Sequence, residues 1–182
     1  VTHTYRSAGN GVKPTATLTV TYADGQESSA TIDVPVPTTV PTTVTLDVPE
    51  TLGLTIAGPA SFGGFTPGVG QTYQASTTAN VISTLPNATL SVVDPSATSP
   101  GFLVNGDTPL ASPLRVRATN SATPNPAFNT LSANPVNLLT WSAPTTNDAV
   151  TLQFQQPIAA NEPLKAGGYT KTLTFTLSTT SP

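Results

Sequence analysis

His3 is the single histidine of this 182-residue chain, and there is no cysteine. A Ser-His-Asp relay needs an imidazole to take the hydroxyl proton, so any such triad would hang on this one residue. A metal site of the His/Cys kind has too few ligands. Paired carboxylates are the other route to hydrolysis, because glycosidases set two acids about 5–9 Å apart across the scissile bond. The nine acids (Asp24, Glu27, Asp33, Asp47, Glu50, Asp94, Asp107, Asp148 and Glu162) are spread singly along the chain. Most stand in turn sequences, where an aspartate bonds its own backbone. No catalytic residue is assigned, and the expectation is a protein that is not an enzyme.

Binding chemistry is nearly as sparse. Calcium takes six to eight oxygen ligands. Asn105-Gly106-Asp107 and Asn147-Asp148 offer two side chains each, short of a calcium loop, and turn chemistry accounts for both. No cofactor and no metal ligand set is expected. The glycines at 63, 64, 68 and 70 lack the Gly-Lys-Ser/Thr ending and following helix of a phosphate loop. Lys171 interrupts an apolar alternation between Tyr169 and Leu173. It either snorkels at the end of a sheet or joins an Asn or Asp through a buried isopeptide, which a mass deficit of about 17–18 Da would reveal, the loss of one ammonia or one water. Aromatic rings can stack on sugar faces. Trp141 alternates with Leu139 and reads as core, whereas Phe62 and Phe65 stand in the glycine-rich loop. Phe62, Phe65 and Trp141 are the residues singled out for ligand contact.

The composition narrows the partners. Only 8% of residues are charged, the net charge is −3, and Arg6, Lys13, Arg115, Arg117, Lys165 and Lys171 are scattered. Nucleic acid binding needs a basic stripe to displace counterions, so it is not expected. No run of 18 apolar residues exists to insert in a membrane as a helix. The chain begins at Val1 with no apolar leader, as expected of a mature or excised segment. Hydrophobic residues make up 37%, which argues against disorder.

The elements that must carry these residues read as short strands. Leu18, Val20 and Tyr22 alternate with threonines, and Asp24-Gly25 signals a two-residue type I′ turn. Ile32, Val34 and Val36 then share the face of a return strand. Prolines crowd residues 35–43, an extended linker, with a boundary near Val40. Beyond it Val44, Leu46 and Val48 alternate with Thr43, Thr45 and Asp47, and Leu52, Leu54 and Ile56 come next. Tyr73 to Thr84, Leu90 and Val92, Leu114 and Val116, Val136 to Trp141, and Val150 to Phe154 read as further strands. A long loop is expected at 120–135. At the end Tyr169, Leu173, Phe175 and Leu177 oppose Thr170, Thr172, Thr174 and Thr176. No window carries helical periodicity, so an all-β sandwich is predicted.

Residues 1–36, through His3-Thr4-Tyr5, Gly9, the TLTVTYADG hairpin and the closing VPV, resemble the last strands of a PKD domain, an immunoglobulin-like module. The region 42–182 resembles the accessory β-sandwich modules at the C-terminal ends of secreted actinobacterial multidomain proteins. The carrying segments are ASFGGFTPGVGQTYQAST (60–77), LSVVDPSATSPGFLVNG (90–106) and GGYTKTLTFTLSTTSP (167–182). The layout is distantly similar to spore-coat-U-like and pilin-type sandwiches, whose last strand also comes after a Gly-x-Tyr turn.

These resemblances imply an immunoglobulin-like sandwich preceded by a partial PKD-like hairpin: 1–36, a linker at 37–41, and a module at 42–182. They also imply an accessory role outside the cell, with no catalytic motif. Three roles are expected: a spacer, anchor or assembly module; a carbohydrate-binding module facing polysaccharide or cell wall; or a filament subunit that recruits neighbouring protein chains by strand complementation.

Overall fold

Period-2 alternation places successive side chains on opposite sheet faces, and it governs nearly every element. The computed structural model describes residues 2–5, 15–34 and 41–179, the first of these by backbone pairing alone. The fold is all-β: thirteen strands in antiparallel sheets, and no helix among the described residues. The chain divides into two units, Val1–Leu46 and Asp47–Pro182. Apart from Pro41, the linker expected at 37–41 lies outside the described residues.

The first unit is a three-stranded meander, β1 (Thr2–Tyr5), β2 (Thr15–Thr21) and β3 (Glu27–Asp33). The two-residue turn expected at Asp24-Gly25 is instead a three-residue loop. The Gly25 N–H donates to the Tyr22 carbonyl, the Tyr22 N–H donates to the Gln26 carbonyl, and only Gly25 has a positive φ, 86°. A type I′ turn needs positive φ at both central residues. Asp24 avoids it by accepting the Gln26 N–H on its carboxylate, which leaves a type I turn with a glycine bulge. Leu18, Val20, Tyr22, Ile32 and Val34 are all exposed, so this meander carries an apolar face within its own unit.

The second unit pairs two facing sheets. One has the order β10-β9-β12-β5-β4. Its strands are β4 (Leu52–Ile56), β5 (Gln71–Ser83), β9 (Arg115–Thr119), β10 (Asn129–Thr130) and β12 (Thr145–Ile158). The other has the order β11-β6-β13, built from β6 (Ala88–Val93), β11 (Val136–Trp141) and β13 (Thr174–Ser178). A small hairpin, β7 (Val104–Asn105) with β8 (Thr108–Pro109), caps one connection.

Inward positions pool in one core. Val81 on β5, Leu90 and Val92 on β6, Val116 on β9, and Val150 and Leu152 on β12 are almost wholly shielded from water. Each such side chain contributes roughly 1.5–3 kcal/mol of transfer free energy.

Two bulges adjust this alternation. In β11 the register slips between Asn137 and Leu139, so Leu138 and Leu139 are both buried. In β12 it slips between Thr145 and Asp148, beside Asn147 at φ 53°. An extra residue shifts the parity of the strand across it: Asp148 shares the side of Val150 and Leu152 by alternation, and the bulge lets Thr145, three residues earlier, pair with Ser83 two positions beyond Val81. Residues 120–135 are mostly loop as expected, with the short β10 inside them. The strand predicted at Thr43–Val48 is not formed. Residues 41–51 have no strand partner, and Val44, Leu46 and Val48 are 90%, 89% and 70% exposed.

Candidate functional site

An apolar cleft of about 870 Å³ opens in the second unit between the two sheets. Its floor reaches the core at Leu103, Leu114 and Phe154. One side is Ile56 at the end of β4 and the loop from Gly58 to Pro67. The other is the segment from Leu164 to Lys171, continued by Leu173 and Phe175. β4 and β13 each end the order of their sheet and approach one another on this side. The cleft lies between these two sheet ends and the loops that follow and precede them.

The loop over the cleft is pinned by its aromatic rings. Phe65 stacks at 4.7 Å on Tyr73 and 6.3 Å from Tyr169, and Phe62 lies 6.4 Å from Phe65, all tilted. The Thr66 N–H donates to the Tyr73 phenolic oxygen at 2.7 Å. That bond lowers the Tyr73 pKa below its ordinary value, because it favours the phenolate. Across the cleft the Lys165 N–H donates to the Tyr169 hydroxyl at 2.9 Å. Asn105 Nδ2 donates to the carbonyls of Lys165 and Ala166. The Asn105 side chain therefore latches a turn.

Lys171 does not snorkel. Its side chain is 3% exposed and its Nζ sits 3.0 Å from Asp94 Oδ2, a carboxylate that is fully buried. The ammonium also donates to the Ser99 carbonyl at 3.0 Å. Asp94 accepts the Ser96 N–H at 2.9 Å and the Gly101 N–H at 2.5 Å. Burial alone pushes the Asp94 carboxyl up. The hydrogen bonds from Ser96, Gly101 and Lys171 together outweigh it and hold the pKa below the ordinary value. Gly101 belongs here by necessity: its φ is 85°, and a Cβ would collide with the Leu131 carbonyl. The ion pair therefore ties the 94–101 loop to the chain entering β13.

Amide formation between these side chains would expel water from a carboxylic acid attacked by a neutral amine. Asp94 instead faces two backbone N–H groups and an ammonium, and such donors favour the carboxylate. The pair is expected to stay ionic, with an intact mass equal to the sequence mass.

The three aromatic residues singled out for contact separate. Phe62 and Phe65 line the cleft, half-buried. Trp141 is buried on β11, and its Nε1–H donates to Asp148 Oδ2 at 2.7 Å. Asn120 Nδ2 donates to the same oxygen at 2.7 Å. Asp148, the first regularly paired residue after the β12 bulge, thus serves a bond between sheets. Glu162 is likewise occupied, accepting the N–H groups of Ala111 and Ala159. Among the described residues no three His, Cys, Asp or Glu side chains group to hold a metal ion. His3 lies in β1, and its side chain is outside the described residues.

Arg117 and Gln156 organise the unit although the strand pattern alone does not single them out. Arg117 faces Gln153 across the β9–β12 register and donates to it at 2.6 Å. It also donates to Asn125 and the Pro126 carbonyl, and its guanidinium lies 4.4 Å over the Phe128 ring. Arg117→Ala is expected to cost about 1–2 kcal/mol in urea unfolding. It is also expected to speed protease nicking between Ser121 and Pro126, where the loop loses its anchor. Gln156 holds the inward parity of β12, fully buried, and donates to the Ser112 and Pro157 carbonyls.

The parity of the strands holds a signal for the ion pair. Asp94 continues the inward series Ala88, Leu90, Val92, and Lys171 the series Tyr169, Leu173, Phe175. Two opposite charges at inward positions point to each other. Searches of protein-family models, of curated proteins and of solved structures each return no match to this chain.

Proposed function

We propose that this chain is a non-catalytic structural and interaction module of a secreted or cell-surface protein, and that it engages its partner through the apolar cleft of the second unit. The observation that carries this reading is the 870 Å³ cleft itself, lined by aromatic and aliphatic side chains between two sheet ends. Concave apolar sites of this size are where proteins hold ligands or partner segments. A non-catalytic role is supported by the way the acids in and around the core are spent. Asp94 is paired with Lys171, Asp148 holds Trp141 and Asn120, and Glu162 caps backbone amides. A place outside the cell is supported by the hydroxyl-rich, weakly charged composition.

Carbohydrate binding is the second reading, and Phe62 is the residue that favours it. Sugars stack on flat, aligned ring faces, whereas Phe62 and Phe65 are inclined at 46° and Phe65 is engaged with two tyrosines. Incubation with insoluble polysaccharides and bacterial cell walls is expected to leave the chain in the supernatant. Saturable depletion that Phe62→Ala abolishes would replace the protein-partner reading with a carbohydrate one. The cleft reading itself is tested with an apolar dye. Anilinonaphthalene sulfonate is expected to gain emission on the dilute folded chain. Phe62→Asp, at a half-buried position in the lining, is expected to weaken that gain without unfolding the sandwich.

A further inference from the structure

Most polar side chains that line the cleft are already engaged by the fold. Thr77 Oγ1 donates to the Gly58 carbonyl at 2.8 Å, and Ser61 Oγ accepts the Gly63 N–H at 3.3 Å. Lys171 is committed to Asp94 and to the Ser99 carbonyl. A ligand rich in hydroxyls or amides would carry polar groups into this space, and each one left without a partner costs free energy. What suits a floor of Leu103, Leu114 and Phe154 is a hydrocarbon body. A volume of about 870 Å³ is in the range of small-molecule sites, so such a ligand can be held whole.

The rim adds one charge. Lys165 lines the cleft, is exposed, and pairs with no carboxylate among the described residues. Its ammonium lies by the turn between β7 and β8, where a Cβ on Gly106 would stand 4.0 Å from Nζ. The Tyr169 hydroxyl accepts the Lys165 N–H at 2.9 Å and keeps its own proton to donate.

The backbone under that ammonium is held on both sides. Tyr169 takes the Lys165 N–H, and the Lys165 carbonyl accepts from Asn105 Nδ2 at 3.2 Å. Gly167, at φ 130°, lets the turn pass close to the same amide, since a Cβ there would stand 2.7 Å from Asn105 Nδ2. The segment is thus fixed before a ligand arrives, which lowers the ordering cost of binding.

We propose that the cleft binds a free single-chain amphiphile, its alkyl chain on the core floor and its anionic head at the Lys165 ammonium and the Tyr169 hydroxyl. This rests on the cleft being an interaction site, and names the chemistry of an occupant. The apolar floor selects an alkyl chain over a sugar or a peptide, and the unpaired cation selects an anionic head over a neutral one.

The test uses full-length protein titrated with Nile red, an uncharged apolar dye whose binding does not call on Lys165. Dodecanoate, kept below its micelle-forming concentration, and uncharged dodecanol are each expected to displace the dye. Lys165→Gln, at an exposed position, is expected to weaken dodecanoate about five-fold, the upper range for an exposed ion pair. The same variant is expected to leave dodecanol unchanged, and Lys165→Arg to bind dodecanoate as wild type does. Dye that dodecanoate does not displace overturns the amphiphile assignment and leaves the cleft reading standing. So does a glutamine variant that weakens acid and alcohol alike, or neither. Absence of Nile red binding by the folded chain overturns both. Co-sedimentation with phosphatidylglycerol vesicles that Lys165→Gln abolishes would place the anionic head in a membrane, and this too overturns the free-ligand proposal.

Discussion

Lys171→Met is expected to lower the unfolding free energy by about 3–5 kcal/mol, because it strands a buried carboxylate without its cation. Asp94→Asn is expected to cost a similar amount for the mirror reason. The double variant should recover part of the loss: an asparagine at 94 keeps only one of the two N–H bonds, because Ser96 and Gly101 donate to different carboxylate oxygens and the amide has a single oxygen, while a methionine fills the lysine's path with apolar volume. Urea unfolding of the three variants distinguishes a pair from two independent residues. Costs that simply add would contradict the account.

The same pair makes acid a selective denaturant. Asp94 titrates below its ordinary 3.8 in the folded chain. It therefore contributes stability above that value, and the contribution is lost as the pH falls through the lowered one. Wild type is expected to lose stability steeply below about pH 4, and Asp94→Asn to show a shallower profile there.

The second large effect is at Trp141. Trp141→Ala is expected to cost about 3–5 kcal/mol through the cavity it leaves between the sheets. Trp141→Phe separates shape from polarity. It keeps most of the ring and removes the donor to Asp148, whose carboxylate then keeps the Asn120 amide. A cost of about 1–3 kcal/mol is expected for that loss. If the phenylalanine variant equals wild type, the indole–carboxylate bond contributes nothing to stability.

Most strands are legible in the sequence because alternation is a property of the chain itself. Tyr73, Ala75, Ala79 and Val81 announce the face of β5, and Val150, Leu152 and Phe154 that of β12. What alternation leaves open is which strands pair and where the register slips. The Leu138-Leu139 run reads as a short apolar stretch, and only the bulge explains why both are buried. Asp94-Pro95 reads as a turn, which it is, yet the same aspartate is the buried anion of the fold. Its partner is 77 residues away (171 minus 94), beyond any local pattern. Thr43–Val48 shows the converse. The sequence there is competent for a strand, but a strand exists only with a neighbour to take its backbone hydrogen bonds.

Phe62, Phe65 and Trp141 share one feature in sequence, an aromatic ring in a poorly charged chain, and the fold divides them. The loop positions reach the cleft because glycines let the 58–67 segment arch over it. Trp141 is drawn inward by the parity of β11. The cleft itself has no signature in the sequence, since it is made by residues from 56 to 175 that meet only when two sheets stop short of closing.

The central claim is that the apolar cleft of the second unit is where this chain engages a partner. Titration of the full-length chain with anilinonaphthalene sulfonate, wild type beside Phe62→Asp, tests it most directly. The account predicts saturable emission on the dilute wild-type chain and weaker binding by the variant at unchanged urea stability. Emission that is absent from the folded wild-type chain, or equal in the two proteins, would contradict it.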